Sequence, residues 1–258
     1  MSDLETSLKN LRTDYVDVLQ LHNPRELPDP DDSSSSYAAL LKAREEGMIR
    51  HIGITSHRLA VARRAVQSGL YETLQFPLSA LSHAPELELI ELCREQDVGV
   101  IAMKALCGGL LTDVDTAFAF LRRFDNVVPI WGCQAPSELE DFIRLEAAPP
   151  EYDESMVRKV EQEREQLGDS FCRGCGYCLP CPADIPIPMA ARMSLLLRRA
   201  PAERFYSDEW REKMHRIEEC EQCGQCHERC PYDLDPAAMM PQMLNDYEVM
   251  YDAHQSNG

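Results

Sequence analysis

Eight of the eleven cysteines in this 258-residue sequence fall into two short motifs in its second half. The first motif, which Pro182 follows, contains Cys172, Cys175, Cys178 and Cys181. The second motif, which Pro231 follows, contains Cys220, Cys223, Cys226 and Cys230. A short loop with a cysteine at every third residue can wrap three corners of a [4Fe–4S] cluster, which needs four thiolates. We therefore expect two [4Fe–4S] clusters.

In two-cluster ferredoxins the cysteine before the proline usually ligates the other cluster. This rule predicts one cluster on Cys172, Cys175, Cys178 and Cys230, and a second on Cys220, Cys223, Cys226 and Cys181. The shorter final spacing of the first motif leaves open which cluster Cys181 ligates. Structural zinc is the alternative, although zinc sites usually combine two cysteine pairs that lie about a dozen or more residues apart.

The three remaining cysteines are scattered through the first half of the chain. The expectation for all three is a buried free thiol: Cys93, Cys107 and Cys133.

The charge balance excludes some partners. Acidic side chains outnumber basic ones by 44 to 26, which gives a formal net charge of −18. Proteins that bind phosphate backbones need a basic face, so we expect neither nucleic acid nor anionic lipid as a partner. The sequence has no apolar run of membrane-spanning length and no signal-peptide pattern at its start, so we expect a cytoplasmic protein. A cytosol keeps thiols reduced, which favours metal binding by clustered cysteines.

Five short, largely apolar segments alternate with helical segments over the first 150 residues. The predicted strands are Val16–Leu21, His51–Thr55, Leu74–Leu78, Val98–Met103 and Val127–Trp131. The predicted helices are Tyr37–Gly47, Arg58–Ser68, Pro85–Gln96, Asp113–Arg123 and Pro136–Leu145. Apolar strands that alternate with helices are typical of a parallel sheet covered by helices, so we predict an α/β fold.

The pattern changes near residue 148. We predict an α/β part over residues 1–150, a linker over 151–170 with a charged helix at Glu154–Leu167, and an iron–sulfur part over 171–235. The helices Met189–Arg199 and Glu209–Glu218 are predicted between the two cysteine motifs. An acidic, methionine-rich tail follows over residues 236–258.

Five segments of the α/β part resemble, in the correct order, the fourth to eighth strands of the aldo-keto reductase barrel. They are Ser7–His22, Gly47–His57, Leu74–Phe76, Val100–Gly109, and Pro129–Gly132 followed by Ser137–Asp141. Together with the cysteine motifs, they resemble the branch of that family with a C-terminal dicluster ferredoxin domain. The resemblance implies the C-terminal part of a (β/α)8 TIM barrel, about five βα units, followed by a small, mainly helical dicluster ferredoxin-like domain.

The resemblance also implies hydride transfer between NAD(P)(H) and a small carbonyl or alcohol substrate. The family uses an Asp, Tyr, Lys and His set, of which His22 matches the histidine that orients the carbonyl. The implied nicotinamide contacts are Thr55, Ser56 and Gln75. The implied pyrophosphate contacts are Met103, Lys104, Leu106 and Gly108, and the implied adenosine contacts are Gly132 and Ser137. No Lys or Arg lies between Gly132 and Arg144 to bind a 2′-phosphate, so the sequence leaves the choice between NAD and NADP open.

The strands that carry the Asp, Tyr and Lys in the family have no counterpart here, and Asp14 and Tyr15 precede a strand at the wrong end. We expect the sequence to be either a fragment or late start of a longer reductase or a half-barrel that a partner completes. We favour the first of these explanations. The leading functional hypothesis is an iron–sulfur reductase that exchanges electrons with a soluble carrier. The alternative is a non-catalytic electron-transfer or scaffold subunit, and purely structural clusters are compatible with both.

Overall fold

A computed structural model of the chain describes residues 2–167, 171–199 and 201–257. Five parallel strands pair in the order of the sequence: β1 (Val16–His22), β2 (Ile49–Thr55), β3 (Thr73–Pro77), β4 (Gly99–Met103) and β5 (Val127–Pro129). Six helices accompany them: α1 (Ser2–Leu11), α2 (Ser36–Glu45), α3 (Leu59–Gln67), α4 (Ala84–Glu95), α5 (Val114–Leu121) and α6 (Pro136–Ala147). The predicted α/β class with a parallel sheet is confirmed.

The inner strands are apolar because other residues cover both of their faces. In β2 the side chains of Ile49, Ile52 and Ile54 are all buried. Within the described part of the chain, β1 pairs only with β2 and β5 only with β4. These edges expose apolar side chains such as Val18 and Val128.

The second half of the chain is helical. Its helices are α7 (Glu154–Leu167), α8 (Ile187–Ala190), α9 (Met193–Arg199), α10 (Asp208–His215), α11 (Gln225–Glu228) and α12 (Pro236–Asn257). The charged helix predicted at Glu154–Leu167 is confirmed, while residues 168–170 at the end of the predicted linker lie outside the described residues. Of the two helices predicted between the cysteine motifs, the first is split into α8 and α9, and the second is α10 followed by a 3₁₀ turn at Arg216–Glu219.

The acidic, methionine-rich tail predicted over residues 236–258 forms the 22-residue helix α12. Met240, Tyr247 and Tyr251 on this helix are buried. The Tyr247 hydroxyl donates a 2.7 Å hydrogen bond to the backbone carbonyl of Phe205, which is also fully buried. The helix is therefore part of a packed core. The final residue, 258, is outside the described residues.

The chain forms two compact units, neither of which is continuous along the sequence. The first unit, which contains the sheet, comprises the residues up to Leu78, Ser82–Met103 and Leu121–Ile130. The second comprises Ser79–Leu81, Lys104–Phe120 and the described residues from Trp131 onwards. The segment after β4 therefore packs with the cysteine-bearing part of the chain. Over the described residues, no helix combines the length and apolar character that crossing a membrane requires.

Candidate functional site

In the first unit, four of the predicted site residues lie at or near the carboxyl ends of neighbouring strands. His22 ends β1 and is in register with Thr55, which ends β2, and Thr55 is in register with Gln75 on β3. The Gln75 Nε2 atom lies 3.8 Å from the sulfur of Met103, the last residue of β4. The carboxyl edge of a parallel sheet is the usual location of ligand sites in α/β proteins. The fold thus brings these four side chains to the edge where chemistry is expected.

Hydrogen bonds hold the His22 ring at this edge. The Thr55 Oγ1 atom lies 3.3 Å from His22 Nδ1, and it accepts a 2.9 Å hydrogen bond from the backbone N–H of Asn23. Because a threonine hydroxyl has one hydrogen to donate, this arrangement allows Thr55 to donate to Nδ1. The ring hydrogen would then reside on Nε2, where it can be donated to a carbonyl oxygen.

Asn23 is a further residue of this edge that the sequence pattern did not indicate. It adopts a left-handed backbone conformation, with φ of +44°, and its Oδ1 accepts a 3.1 Å hydrogen bond from the backbone N–H of His57. Asparagine tolerates positive φ better than most residues, so an asparagine directly after a strand was the available signal. Its contacts fix the turn that presents His22 and Thr55.

Ser56 differs from its neighbours because its side chain is fully buried. Its hydroxyl donates to the backbone carbonyl of Arg58 and accepts from the Arg58 backbone N–H, both at 3.1 Å. The Ser56 backbone N–H donates to the carbonyl of Gln75 at 3.0 Å. These bonds tie the turn after β2 to β3, so the Ser56 hydroxyl supports the chain locally, and its predicted contact with a nicotinamide stays a prediction.

In the second unit, the segment after β4 carries the predicted pyrophosphate contacts on a strained loop. Lys104 and Cys107 have φ of +59° and +52°, and Gly108 and Gly109 have φ of +68° and +88°. Positive φ in residues with a side chain costs about 1–3 kcal/mol and tends to occur at functional sites. The Cys107 N–H donates to the Lys104 carbonyl at 2.7 Å, which closes the first turn of this loop.

The predicted adenosine contacts lie at the start of α6 in the same unit. Trp131 stacks between the rings of Phe118 and Phe142, at centroid distances of 5.8 and 4.6 Å. Gly132 follows it with open space around its Cα, and Ser137 is exposed in the first turn of the helix. The stacked Trp131 anchors the chain before both residues.

Of the three scattered cysteines, Cys93 and Cys107 are buried, as expected. The prediction for Cys133 was wrong, because this cysteine is exposed. It follows β5 in the loop before α6.

The eight clustered cysteines line two cavities in the second unit. The first has about 320 Å³ of empty space, part of it open to solvent, and its wall includes Cys172, Cys175, Cys178 and Cys230, here called ring one. The second has about 370 Å³, and its wall includes Cys181, Cys220, Cys223 and Cys226, here called ring two. The side chain of Cys178 contributes to both walls, but Cys172 and Cys175 are the thiols that act on it most strongly, so we assign it to ring one.

The two rings fit [4Fe–4S] clusters by their donor sets, since each offers four thiols around a cavity. The backbone N–H of Gly174 donates to Cys172 Sγ at 3.4 Å, the kind of hydrogen bond that stabilises a thiolate. Burial raises the pKa of the Cys178 thiol to about 12 and also raises the pKa of Cys172 and of Cys226. Iron would have to displace these protons on binding. Across the described residues, no group of three or more potential ligands converges on the position of a single metal ion.

Both the sheet-bearing part and the cysteine-bearing part of the chain are similar to known protein families. Residues 1–120 match the model of the aldo/keto reductase family, and residues 171–235 match the model of the 4Fe-4S dicluster domain. The second match spans both cysteine motifs.

Among curated proteins, the chain is 34% identical over 113 residues to the uncharacterized oxidoreductase YcsN of Bacillus subtilis (strain 168), covering 42% of this chain and 36% of that protein. It is 32% identical over 114 residues to the NADH-specific methylglyoxal reductase of Escherichia coli (strain K12), covering 44% and 35%. The chain therefore spans about a third of the length of these relatives.

Among solved structures, the fold is similar to that of the aldo-keto reductase AKR11C1 from Bacillus halodurans in its holo form. The TM-score is 0.52 at 21% sequence identity, and the match covers 63% of this chain and 65% of the other. This likeness concerns the fold, and it supports a partial TIM barrel for the sheet-bearing part.

Proposed function

Because residues 1–120 form an aldo/keto reductase domain and residues 171–235 a 4Fe-4S dicluster domain, we propose that this chain belongs to an iron–sulfur oxidoreductase. Its reaction would be NAD(P)-linked interconversion of a small carbonyl and an alcohol. The observation that carries the proposal is the position of His22 beside Thr55 at the carboxyl edge of the sheet, in a chain that also bears two four-cysteine rings.

In this proposal His22 orients the substrate. With Thr55 donating to Nδ1, the Nε2–H group would donate a hydrogen bond to the carbonyl oxygen and stabilise the negative charge that develops there. Gln75 would bind the nicotinamide amide next to it. The tyrosine, lysine and aspartate of the family set have no matching position in this sequence, so this chain supplies the orienting group of the reaction and not its proton donor.

The resemblance to the aldo-keto reductases implies that Lys104, Leu106 and Gly108 would contact a pyrophosphate, and that Gly132 and Ser137 would contact an adenosine group. Arg144 is the first basic residue after Gly132, and its guanidinium is 3.2 Å from Asp115 and 3.5 Å from Asp141. An arginine already paired with two carboxylates is poorly placed to bind a 2′-phosphate. We therefore expect NADH to bind at least as tightly as NADPH.

Two [4Fe–4S] clusters, when bound, would supply one-electron transfer. Ring one and ring two would each hold one of them through four thiolates, and the N–H of Gly174 would donate to one of these sulfurs. A soluble electron carrier of the cytoplasm is the partner that fits such clusters.

The test measures nucleotide binding to the anaerobically purified, iron-loaded chain. Binding of NADH and of NADPH is monitored by the quenching of protein fluorescence. Saturable quenching by NADH supports the proposal, and His22→Gln should then leave NADH binding intact. The same variant should weaken binding of a carbonyl probe such as methylglyoxal to the NADH complex. His51→Gln is the matched control, since His51 lies exposed on β2 next to Glu72 and away from the carboxyl edge.

One observation favours a second candidate. The sequence lacks a match for three of the four residues of the family's catalytic set, which is compatible with a non-catalytic electron-transfer or scaffold subunit. No quenching at millimolar NADH or NADPH, together with intact clusters, would select this alternative.

A further inference from the structure

Arg192 is a buried arginine in the cysteine-bearing unit, with 8% of its surface exposed. Its Nε donates to the carbonyl of Pro188 at 3.1 Å, and its Nη1 lies 3.3 Å from the carbonyl of Gly108. Burial lowers its pKa, and the charged or ionisable neighbours that act on it are Cys172, Cys107 and Arg204. Among the described residues, none of these neighbours is a carboxylate.

The guanidinium lies against the loop that forms ring one. A Cβ atom added at Gly174, between Cys172 and Cys175, would lie 2.9 Å from the Arg192 Cζ atom. A Cβ atom at Gly108 would lie 2.7 Å from Nη1. Both glycines also have positive φ. A side chain at either glycine would therefore displace the guanidinium from its position between the loop after β4 and the loop of ring one.

A buried cation is costly unless an opposite charge compensates it. Of its ionisable neighbours, the Cys172 thiol acts on the guanidinium most strongly, and this thiol becomes negatively charged when it is deprotonated to ligate iron. A [4Fe–4S] cluster with four thiolates is net negative and gains one more negative charge on reduction. A fixed cation beside it therefore stabilises the reduced form more than the oxidised form.

The surroundings of ring two are different. Its cavity is lined by Glu221, Gln222 and Gln225, and its described lining includes no lysine or arginine. Arg229 lies nearby, but its guanidinium donates to the carbonyl of Pro180 and to Gln225 Oε1 at a partly exposed position.

Besides Arg192, which lies against its loop, ring one has one arginine, Arg173, in its cavity wall. Arg173 lies over the rings of Phe171 and Tyr232, at 4.7 and 5.5 Å from their centroids. The positive charge is thus concentrated at ring one.

We propose that Arg192 is the counter-charge of the cluster in ring one and makes that cluster the one with the higher reduction potential. This inference rests on the proposed function, because it requires clusters in both rings. Arg192 acts on the cluster through its charge and position, and it also connects ring one to the Gly108 loop.

The test is a redox titration of the complete, iron-loaded chain under anaerobic conditions, monitored by EPR. Cys175→Ser and Cys223→Ser assign each signal to its ring, because serine ligation alters the signal of its own cluster. We expect the higher midpoint to belong to ring one. Arg192→Gln should lower the ratio of reduced to oxidised cluster in ring one at least tenfold at a fixed potential, which is about 59 mV for a one-electron couple. The midpoint of ring two should stay unchanged.

Two further variants separate charge from packing. Arg192→Lys keeps the positive charge and should restore most of the potential, although it cannot make both hydrogen bonds. Arg198→Gln removes a charge from α9, where Arg198 is 56% exposed and 3.9 Å from Asp246, and it should shift neither midpoint.

The inference is overturned if Arg192→Gln shifts both midpoints equally or neither of them, or if ring two has the higher potential in the unaltered chain. If the Arg192→Gln variant loses the iron of ring one, the inference is tested by the order of the two midpoint potentials in the unaltered chain. A chain that never holds iron and sulfide would refute the proposed function itself. A chain that holds its full complement of iron and sulfide, and whose midpoint potentials do not change in the Arg192→Gln variant, would refute only this inference.

Discussion

The division of the eight cysteines into two rings predicts how much iron the chain retains when two of the cysteines are replaced. Cys172 and Cys230 lie in ring one although they belong to different sequence motifs. Cys172 and Cys181 belong to the same motif, but Cys181 lies in ring two. The double variants Cys172→Ala/Cys230→Ala and Cys172→Ala/Cys181→Ala therefore have different consequences for iron content.

In Cys172→Ala/Cys230→Ala, ring one keeps only two ligands and ring two keeps all four. We expect ring one to lose its cluster, so that about four iron atoms of about eight remain per chain. In Cys172→Ala/Cys181→Ala, each ring keeps three ligands, and each cluster can lose the iron at its unligated corner. We expect about six iron atoms, as two three-iron clusters.

Iron and sulfide analysis of anaerobically purified protein measures both quantities. EPR of the oxidised proteins distinguishes them further, because three-iron clusters are paramagnetic in that state and oxidised four-iron clusters are silent. Cys93→Ala is the control, since Cys93 is a fully buried thiol in the other compact unit, and it should leave the iron content unchanged. If the two double variants exchange their iron contents, each motif holds its own cluster and the assignment to rings is wrong.

Three other predictions concern the packing of the chain. Tyr247→Phe leaves a buried backbone carbonyl without its donor and should reduce the free energy of unfolding by about 1–3 kcal/mol in anaerobic urea denaturation; an unchanged midpoint would contradict this. Gly53→Ala should destabilise the sheet by about 1–3 kcal/mol because the new Cβ would overlap Thr73 Oγ1, and adding Thr73→Ala should recover part of the loss in a double-mutant cycle. Burial raises the pKa of Cys93 to about 12, so at pH 8 iodoacetamide should label exposed Cys133 while Cys93 stays unlabelled until the chain unfolds; labelling of both at equal rates would refute the burial of Cys93.

The local pattern of the sequence predicted the sheet closely. The strand expected at His51–Thr55 is β2, which begins two residues earlier at Ile49, and the helix expected at Glu154–Leu167 has those bounds in the structure. Such elements are predictable because apolar periodicity and turn residues act over a few neighbouring positions. The last strand was predicted too long, since Trp131 stacks on Phe118 and Phe142 instead of extending β5.

The site was predictable to the extent that it depends on strand ends and cysteine spacing. His22 follows one predicted strand and Thr55 ends the next, and parallel strands bring such residues to one edge. Gln75 lies within its predicted strand, and the register of β2 and β3 places it beside Thr55. Asn23 was not predicted, because its role depends on a hydrogen bond to His57, which is 34 residues away.

The sequence by itself determined the parallel α/β arrangement, the two cysteine motifs and the acidic surface, since these follow from residue types at short spacing. The tertiary structure decided how the eight thiols divide between two cavities, because the spacing of the first motif did not show which cluster Cys181 ligates. It also decided that Arg192 lies between Gly108 and Gly174, which are 84 and 18 positions away along the chain. In the sequence Arg192 is one basic residue in a helical spacer. Its burial depends on long-range packing, and short-range patterns do not specify which distant segments meet.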